Sequence, residues 1–179
     1  DSGNETRNSD LLVSYLEGTG VDIQTYTPRP GRDSMIARIA GSDPNAPSLC
    51  LMGHTDVVPV NVDGWTHDPF AAEIIDGEVW GRGAVDMLNL TSTMAVVFRQ
   101  LANEGFRPKG DLIYFGVADE EAGGVWGAKW MAEHHWDDMQ ADHVLTKLGG
   151  WSTVDDHGTR TITVNVGEKG LAWRRIRVR

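Results

Sequence analysis

Apolar residues recur along the chain with two periods, one typical of helices and the other of strands. Spacings of three and four residues predict helices, which cover residues 8–17, 86–105 and 124–136. Alternating or continuous apolar runs bounded by Gly, Pro or polar residues predict strands and hairpins. The strands cover residues 22–27, 35–41, 47–53, 111–118 and 142–146, and the hairpins cover residues 73–81 and 161–179. Because strands and helices alternate through the middle of the chain, the pattern predicts an α/β layered domain with a largely parallel or mixed sheet.

The composition agrees with an α/β globular domain and excludes several kinds of partner. The chain has 179 residues, of which 40% are hydrophobic and 23% charged, as in an ordinary globular domain. Its net charge of −10 repels phosphate backbones, so we expect no nucleic-acid partner. No apolar run approaches the roughly 18 residues of a membrane span, so we expect no membrane partner. The single cysteine, Cys50, excludes an intrachain disulfide, and we expect a cytoplasmic protein.

The two ends of the chain suggest a longer parent protein. The sequence begins at Asp1 without a methionine, and the last alternating segment continues to Arg179 without a turn or cap. We therefore expect residues 1–179 to be a portion of a larger protein.

The first candidate site closes the apolar run 47–53, where His54 and Asp56 follow Gly53. Residues two apart on an extended backbone point to the same side. Histidine is a common zinc ligand, and a nearby carboxylate can hold its second ring nitrogen. The alternative is a strand-end histidine and an aspartate that starts a turn, and this motif alone leaves both interpretations open.

Two further groups of acidic residues lie at strand-to-helix junctions. Asp86 opens the longest predicted helix, where the alternative role is a plain N-cap. Asp119, Glu120 and Glu121 end the next buried strand, where the alternative is a set of acids favoured by a following helix N-terminus. Adjacent carboxylates repel one another unless a cation or water stabilises them. Since α/β sheets bind ligands at the carboxyl ends of their strands, the three junctions together favour a metal site.

The motifs also resemble one known family in their order and separations. They are LMGHTDVVPV, HDPF after Trp65, DGEVWGRGAVDM, VADEEAGG and DHVLTKLGG. Over about residues 10–179 the chain resembles the zinc metallopeptidases and amidohydrolases that include acetylornithine deacetylase, succinyl-diaminopimelate desuccinylase, aminoacylase and glutamate carboxypeptidase. The resemblance implies a truncated three-layer α/β/α fold of the zinc-peptidase (phosphorylase/hydrolase-like) type. Residues 1–179 would form the N-terminal portion of the catalytic domain, without its C-terminal part and without the lid or dimerisation domain.

The resemblance implies a role for each candidate residue. The implied metal ligands are His54 for one zinc, Glu121 for a second zinc and Asp86 as a bridge between the two. Asp56 would orient His54, and Glu120 would act first as general base and then as acid. The implied reaction is hydrolysis of an amide or peptide bond next to an amino-acid carboxylate, with a small N-acyl amino acid or peptide as substrate. Cobalt or manganese would substitute for zinc, and the missing domain would provide a homodimer interface.

The chain departs from the family pattern at one implied metal-ligand position. Where the resemblance implies a carboxylate that shares a zinc with His54, this chain has Lys147. A protonated lysine only donates hydrogen bonds and cannot bind a metal ion. The second zinc would take a further histidine that we expect beyond residue 179, so each metal lacks one implied ligand. Two hypotheses therefore stand: a hydrolase of which this fragment is an incomplete catalyst, and a non-catalytic relative that acts in binding or assembly.

Overall fold

The computed structural model describes residues 3–167 and 176–178. The chain divides into two compact units, residues 1–146 and residues 147–179, and each is described by itself. Among the described residues, no helix combines the length and the apolar character needed to cross a membrane.

Among the described residues, the first unit contains four α-helices and seven strands. The helices are α1 (Thr6–Leu16), α2 (Leu88–Asn103), α3 (Ala128–His134) and α4 (Trp136–Met139). The strands are β1 (Asp22–Tyr26), β2 (Ser34–Ile39), β3 (Leu49–His54), β4 (Glu73–Ile75), β5 (Glu78–Trp80), β6 (Leu112–Val117) and β7 (His143–Leu145). A short 3₁₀ helix lies at Val62–Gly64, and β4 and β5 form the predicted hairpin.

Five strands form a mixed sheet in the order β1-β2-β6-β3-β7. Strands β6, β3 and β7 run parallel, whereas β1 and β2 pair antiparallel with their neighbours. The register places His54, the last residue of β3, opposite Val117, the last residue of β6. The loops that leave these two strands therefore start side by side at one edge of the sheet, and this edge carries the candidate site.

Helices cover both faces of the sheet, as expected for three α/β/α layers. On one face, Tyr114 of β6 packs with Phe98 of α2 and Leu12 of α1 in one buried cluster. On the other face, Phe115 packs with Met131 of α3 in a second cluster. Successive residues of a strand point to opposite faces, so the continuous apolar run of β6 supplies both cores. The predicted α/β fold with a mixed central sheet is confirmed.

The helix predicted at 124–136 begins later than expected and is interrupted. Helix α3 begins at Ala128, and α4 follows it after His135. The residue before it, Gly127, has a non-helical backbone (φ −107°, ψ −113°), and a Cβ at this position would lie against the carbonyl oxygen of Ala118. Gly124, with φ of +70°, adds a left-handed turn just before it.

In the second unit, strand β8 (Gly149–Val154) pairs antiparallel with β9 (Arg160–Val164). The sequence predicts strand 161–166, which β9 confirms, and places the strand that pairs with it at 171–179. Of that segment, residues 171–175 and 179 lie outside the described residues. The turn between β8 and β9 is stabilised by Asp155, whose Oδ1 accepts hydrogen bonds from the backbone N–H groups of His157 and Thr159. An aspartate that bonds amides two and four residues ahead closes a turn locally.

Candidate metal centre

Hydrogen bonds lock together the two loops that follow β3 and β6. The backbone N–H of Thr55 donates to the Val117 carbonyl over 2.9 Å and continues the pairing of the strands. Beyond it, the Asp56 carboxylate accepts hydrogen bonds from the N–H of Glu120 over 3.1 Å and from the N–H of Glu121 over 2.9 Å. The His54–Asp56 segment and the Glu120–Glu121 segment therefore form one unit.

The imidazole of His54 is buried and has carboxylates on both sides. Its Nδ1 lies 3.0 Å from the Asp56 carbonyl oxygen and 3.4 Å from the Asp56 carboxylate. Its Nε2 lies 3.1 Å from Asp86 Oδ1 and 3.6 Å from Glu120 Oε2. When Nδ1 carries the proton and donates it to Asp56, Nε2 presents its lone pair toward the other two acids. This is the arrangement in which a histidine binds a metal ion.

Asp56 stays ionised although it is 3% exposed. Burial by itself raises its pKa, but hydrogen bonds from His54 and from the backbone N–H of Glu121 outweigh this effect and lower the pKa below its ordinary value. The carboxylate can therefore hold His54 in one orientation and one tautomer. This placement agrees with the expectation for Asp56, whose role in the reaction stays a prediction.

Three of the predicted residues form a possible metal-binding group. One ligand atom from each of His54, Asp86 and Glu121 lies within 4.8 Å of the others. One imidazole with two carboxylates is a donor set that zinc accepts, so these residues fit the implied ion. The side chain of Asp86 is 58% exposed, which leaves the group open to solvent on that side.

The structure rejects the alternative roles of the acidic residues as helix-terminus groups. Asp86 is not the N-cap of α2, because the helix begins at Leu88 and Met87 is its N-cap residue. The Asp86–Met87 peptide bond is cis. Glu120 and Glu121 do not lie in the first turn of a helix either, since α3 begins at Ala128.

Sequence reasoning missed the role of Asp119 and its partners. Asp119 is buried, and its Oδ1 lies 3.1 Å from Arg32 Nη1. The same Arg32 atom lies 2.6 Å from Glu5 Oε1. Because these three residues are far apart in sequence and follow no motif, only the fold reveals their contact.

Lys147 is the first residue of the second unit and is half-buried. Its expected place beside a zinc ion stays a prediction.

An open cleft of about 960 Å³ borders the centre within the first unit. Thr55 and Asp56 line it on the side of the metal group, and Trp80, Arg82 and Arg7 contribute to its other walls. The cleft is large enough for a small organic molecule.

Comparison with known proteins identifies the family. Residues 50–175 match the profile of Peptidase family M20/M25/M40. The chain belongs to this family. Membership confirms the resemblance drawn from the motifs and the predicted hydrolase class, and the His54–Asp86–Glu121 group agrees with the metal dependence of the family.

Several curated relatives are succinyl-diaminopimelate desuccinylases. The protein of that name from Rhodopseudomonas palustris (strain TIE-1) is 36% identical over 171 residues, which are 90% of this chain and 41% of the relative. The one from Parvibaculum lavamentivorans is 39% identical over 105 residues, which are 58% of this chain and 25% of the relative. The chain thus spans about two fifths of the length of the first of these relatives.

Solved structures of the same fold confirm the architecture. Human carnosine dipeptidase 1 matches with a TM-score of 0.63 and 21% identity, over 82% of this chain and 33% of the other. The M20 family metallo-carboxypeptidase Sso-CP2 from Sulfolobus solfataricus matches with a TM-score of 0.61 and 22% identity, over 86% and 33% of the two chains.

Proposed function

We propose that the full-length protein containing this chain is a metal-dependent hydrolase that cleaves an amide or peptide bond next to an amino-acid carboxylate. The observation that carries this proposal is the convergence of His54, Asp86 and Glu121 at the end of β3 and β6, with Glu120 beside them. Membership in a peptidase family supports the reaction class.

The proposed metal is zinc, in a site for two ions. His54 would hold the first ion, Glu121 the second, and Asp86 both, while cobalt or manganese would substitute. When bound, the metal supplies Lewis acidity that polarises the scissile carbonyl and acidifies the attacking water.

Glu120 is the proposed general base. Its carboxylate is 43% exposed, so a substrate or a water molecule can reach it, and its Oε2 lies 3.6 Å from His54 Nε2. The carboxylate takes a proton as the water oxygen attacks the carbonyl carbon. It then gives this proton to the nitrogen as the carbon–nitrogen bond breaks, which leaves an amine and a carboxylic acid that ionises by passing its proton to the amine or to solvent.

Asp56 positions both the proposed metal ligand His54 and the loop that carries the proposed base Glu120. It holds the ring of His54 through Nδ1, and it fixes the backbone of Glu120 and Glu121 through two N–H bonds. The base and the metal ligands thereby keep one relative arrangement, which saves the cost of ordering them during the reaction.

The proposed substrate is a small N-acyl amino acid or peptide. The desuccinylase relatives favour an N-succinyl diamino acid as the first compound to test. The cleft beside Asp56 offers two cationic side chains, Arg7 and Arg82, toward which a carboxylate of such a substrate would be attracted.

The test replaces Glu120 in the full-length protein. Glu120→Gln is expected to lower kcat by about a hundredfold or more while zinc still binds, because the amide cannot accept the proton. Glu17→Gln, which changes an exposed glutamate at the end of α1, serves as the matched control. Activity would be measured on N-succinyl-diaminopimelate, a dipeptide and an N-acetyl amino acid. Full activity of Glu120→Gln, or the absence of zinc-dependent turnover in the unmodified protein, would contradict the proposal.

A second candidate function rests on Lys147. A lysine at a ligand position favours a non-catalytic relative that uses the fold for binding or assembly. This hypothesis predicts that Lys147→Glu creates zinc binding and turnover that the unmodified full-length protein does not have. Rapid turnover by the unmodified protein would exclude it.

A further inference from the structure

A buried ion cluster adjoins the loop that carries Glu120 and Glu121. The cluster consists of Glu5, Arg32 and Asp119, with one guanidinium nitrogen 2.6 Å from Glu5 and 3.1 Å from Asp119. Both carboxylates are about 2% exposed, and the Arg32 side chain is 15% exposed. Since a carboxyl group removed from water needs a polar partner, the contacts of Arg32 support two buried side chains at once.

Asp119 couples this cluster to the conformation of the loop. Its second oxygen, Oδ2, accepts a hydrogen bond from the N–H of Trp126 over 2.9 Å. Its carbonyl accepts another from the N–H of Gly124 over 2.6 Å, and its backbone is left-handed with φ of +68°. The orientation of Asp119 therefore determines the direction in which the next residues leave the end of β6.

The loop is thus held at two carboxylates that belong to different parts of the fold. Asp56 holds the N–H groups of Glu120 and Glu121 from the β3 side. Asp119 is held by Arg32, which is in turn held by Glu5 next to helix α1. Because Glu120 and Glu121 follow Asp119 directly, a rotation of Asp119 would carry both side chains away from His54.

We propose that Arg32 is a positioning residue of the metal centre, which sets the orientation of Glu120 and Glu121 by bridging Glu5 and Asp119. Its effect on the reaction rests on the proposed function. Its effect on the order of the loop does not depend on that function, so the two can be tested separately.

The first readout is backbone hydrogen exchange in the full-length, metal-free protein. Arg32→Met is expected to lower the protection of residues 119–127 by about tenfold or more, because two buried carboxylates lose their cationic partner and the local structure opens. Arg38→Met is the matched control. Arg38 makes an equally short ion pair of 2.6 Å with Asp111, and it pairs in register with Ile113, near the start of β6 rather than its end. This control should leave residues 119–127 unchanged.

The second readout is zinc affinity together with steady-state kinetics. Arg32→Met is expected to weaken zinc binding by about tenfold or more, as is usual when a group that orients a metal ligand is removed. It should also lower kcat with little change in KM, since Glu120 is displaced. Arg32→Lys keeps the charge but loses the planar fork, so it should recover part of both losses.

The measurements on these variants decide whether Arg32 positions the loop that carries Glu120 and Glu121. If Arg32→Met matches the Arg38→Met control in exchange and zinc affinity, Arg32 does not position the loop. If Arg32→Met fails to fold, the same readouts on Arg32→Lys and on Glu5→Gln decide, because each retains part of the cluster. If the unmodified protein neither binds zinc nor turns over substrate, the proposed function fails, and the exchange data alone confirm or overturn the positioning role.

Discussion

Gly53 is the position at which a single methyl group would most directly separate the site from its supporting helix. A Cβ at this residue would lie 2.5 Å from Thr91 Oγ1 and 3.1 Å from Thr91 Cα and Met94 Cε. Thr91 Oγ1 also donates a 2.8 Å hydrogen bond to the carbonyl of His54. The substitution Gly53→Ala therefore forces α2 away from β3 next to a predicted metal ligand.

The loss of free energy of unfolding in Gly53→Ala follows from these contacts. Because one of them is to backbone, a side-chain rotation cannot relieve the crowding, and overpacking of this kind costs about 1–3 kcal/mol. Loss of the bond from Thr91 to His54 adds about 1 kcal/mol. We expect Gly53→Ala to lower the free energy of unfolding by about 2–4 kcal/mol, measured by urea denaturation with tryptophan fluorescence.

Two further variants make this prediction specific. A Cβ at Gly64 meets no heavy atom within 4 Å among the described residues, so Gly64→Ala should change stability by less than about 0.5 kcal/mol. Thr91→Ala removes the clashing oxygen and the hydrogen bond together, so the double variant with Gly53→Ala should cost about 1 kcal/mol less than the sum of the single changes. Strict additivity, or a Gly53→Ala variant as stable as Gly64→Ala, would refute the packing argument.

Three other predictions concern the fold around the site. A hydrogen bond from the N–H of Gly41 and the ion pair with Arg38 hold the pKa of Asp111 below its ordinary value. Asp111 therefore stabilises the folded chain above the pKa that it has in the unfolded chain, and this stabilisation is lost as the pH falls through its pKa in the folded chain. Asp111→Asn should therefore cost under about 1 kcal/mol near neutral pH, since the pair is partly exposed, and should weaken the acid dependence of unfolding below about pH 4. Burial raises the pKa of Cys50 to about 12, so iodoacetamide at about pH 8 should label it only when urea unfolds the chain. Phe98→Ala should lower the free energy of unfolding by about 3–5 kcal/mol in urea denaturation, because the wholly buried ring packs against the central strand β6.

The sequence predicts the central part of the fold well for a physical reason. Strands β3 and β6 are covered by helices on both faces, so they appear as continuous apolar runs that end abruptly in polar residues. Because the two strands are parallel neighbours, His54 and the acids after Val117 come together at one edge. The same logic cannot decide between a metal ligand and a helix-terminus group at Asp86. That distinction needs the observed start of α2 at Leu88.

Other features depend on contacts that have no local signal. The bridge from Arg32 to Glu5 and Asp119 joins residues distant in sequence, and its strength comes from burial, which no motif encodes. The non-helical backbone of Gly127 before α3, and its close approach to Ala118 after β6, are not revealed by periodicity. Strand β8 was missed because its sequence, GGWSTV, begins with two glycines, which are depleted in strands.

The group formed by His54, Asp86 and Glu121 is proposed to bind zinc. The most direct test is a calorimetric zinc titration of the chelator-treated full-length protein beside Asp86→Asn, with Asp10→Asn, an exposed aspartate on α1, as the control. The proposal predicts that the unmodified protein and the control bind zinc alike, and that Asp86→Asn binds it about tenfold or more weakly, since the amide loses the ligand charge. Absent zinc binding in the unmodified protein, or equal affinity in all three, would contradict it.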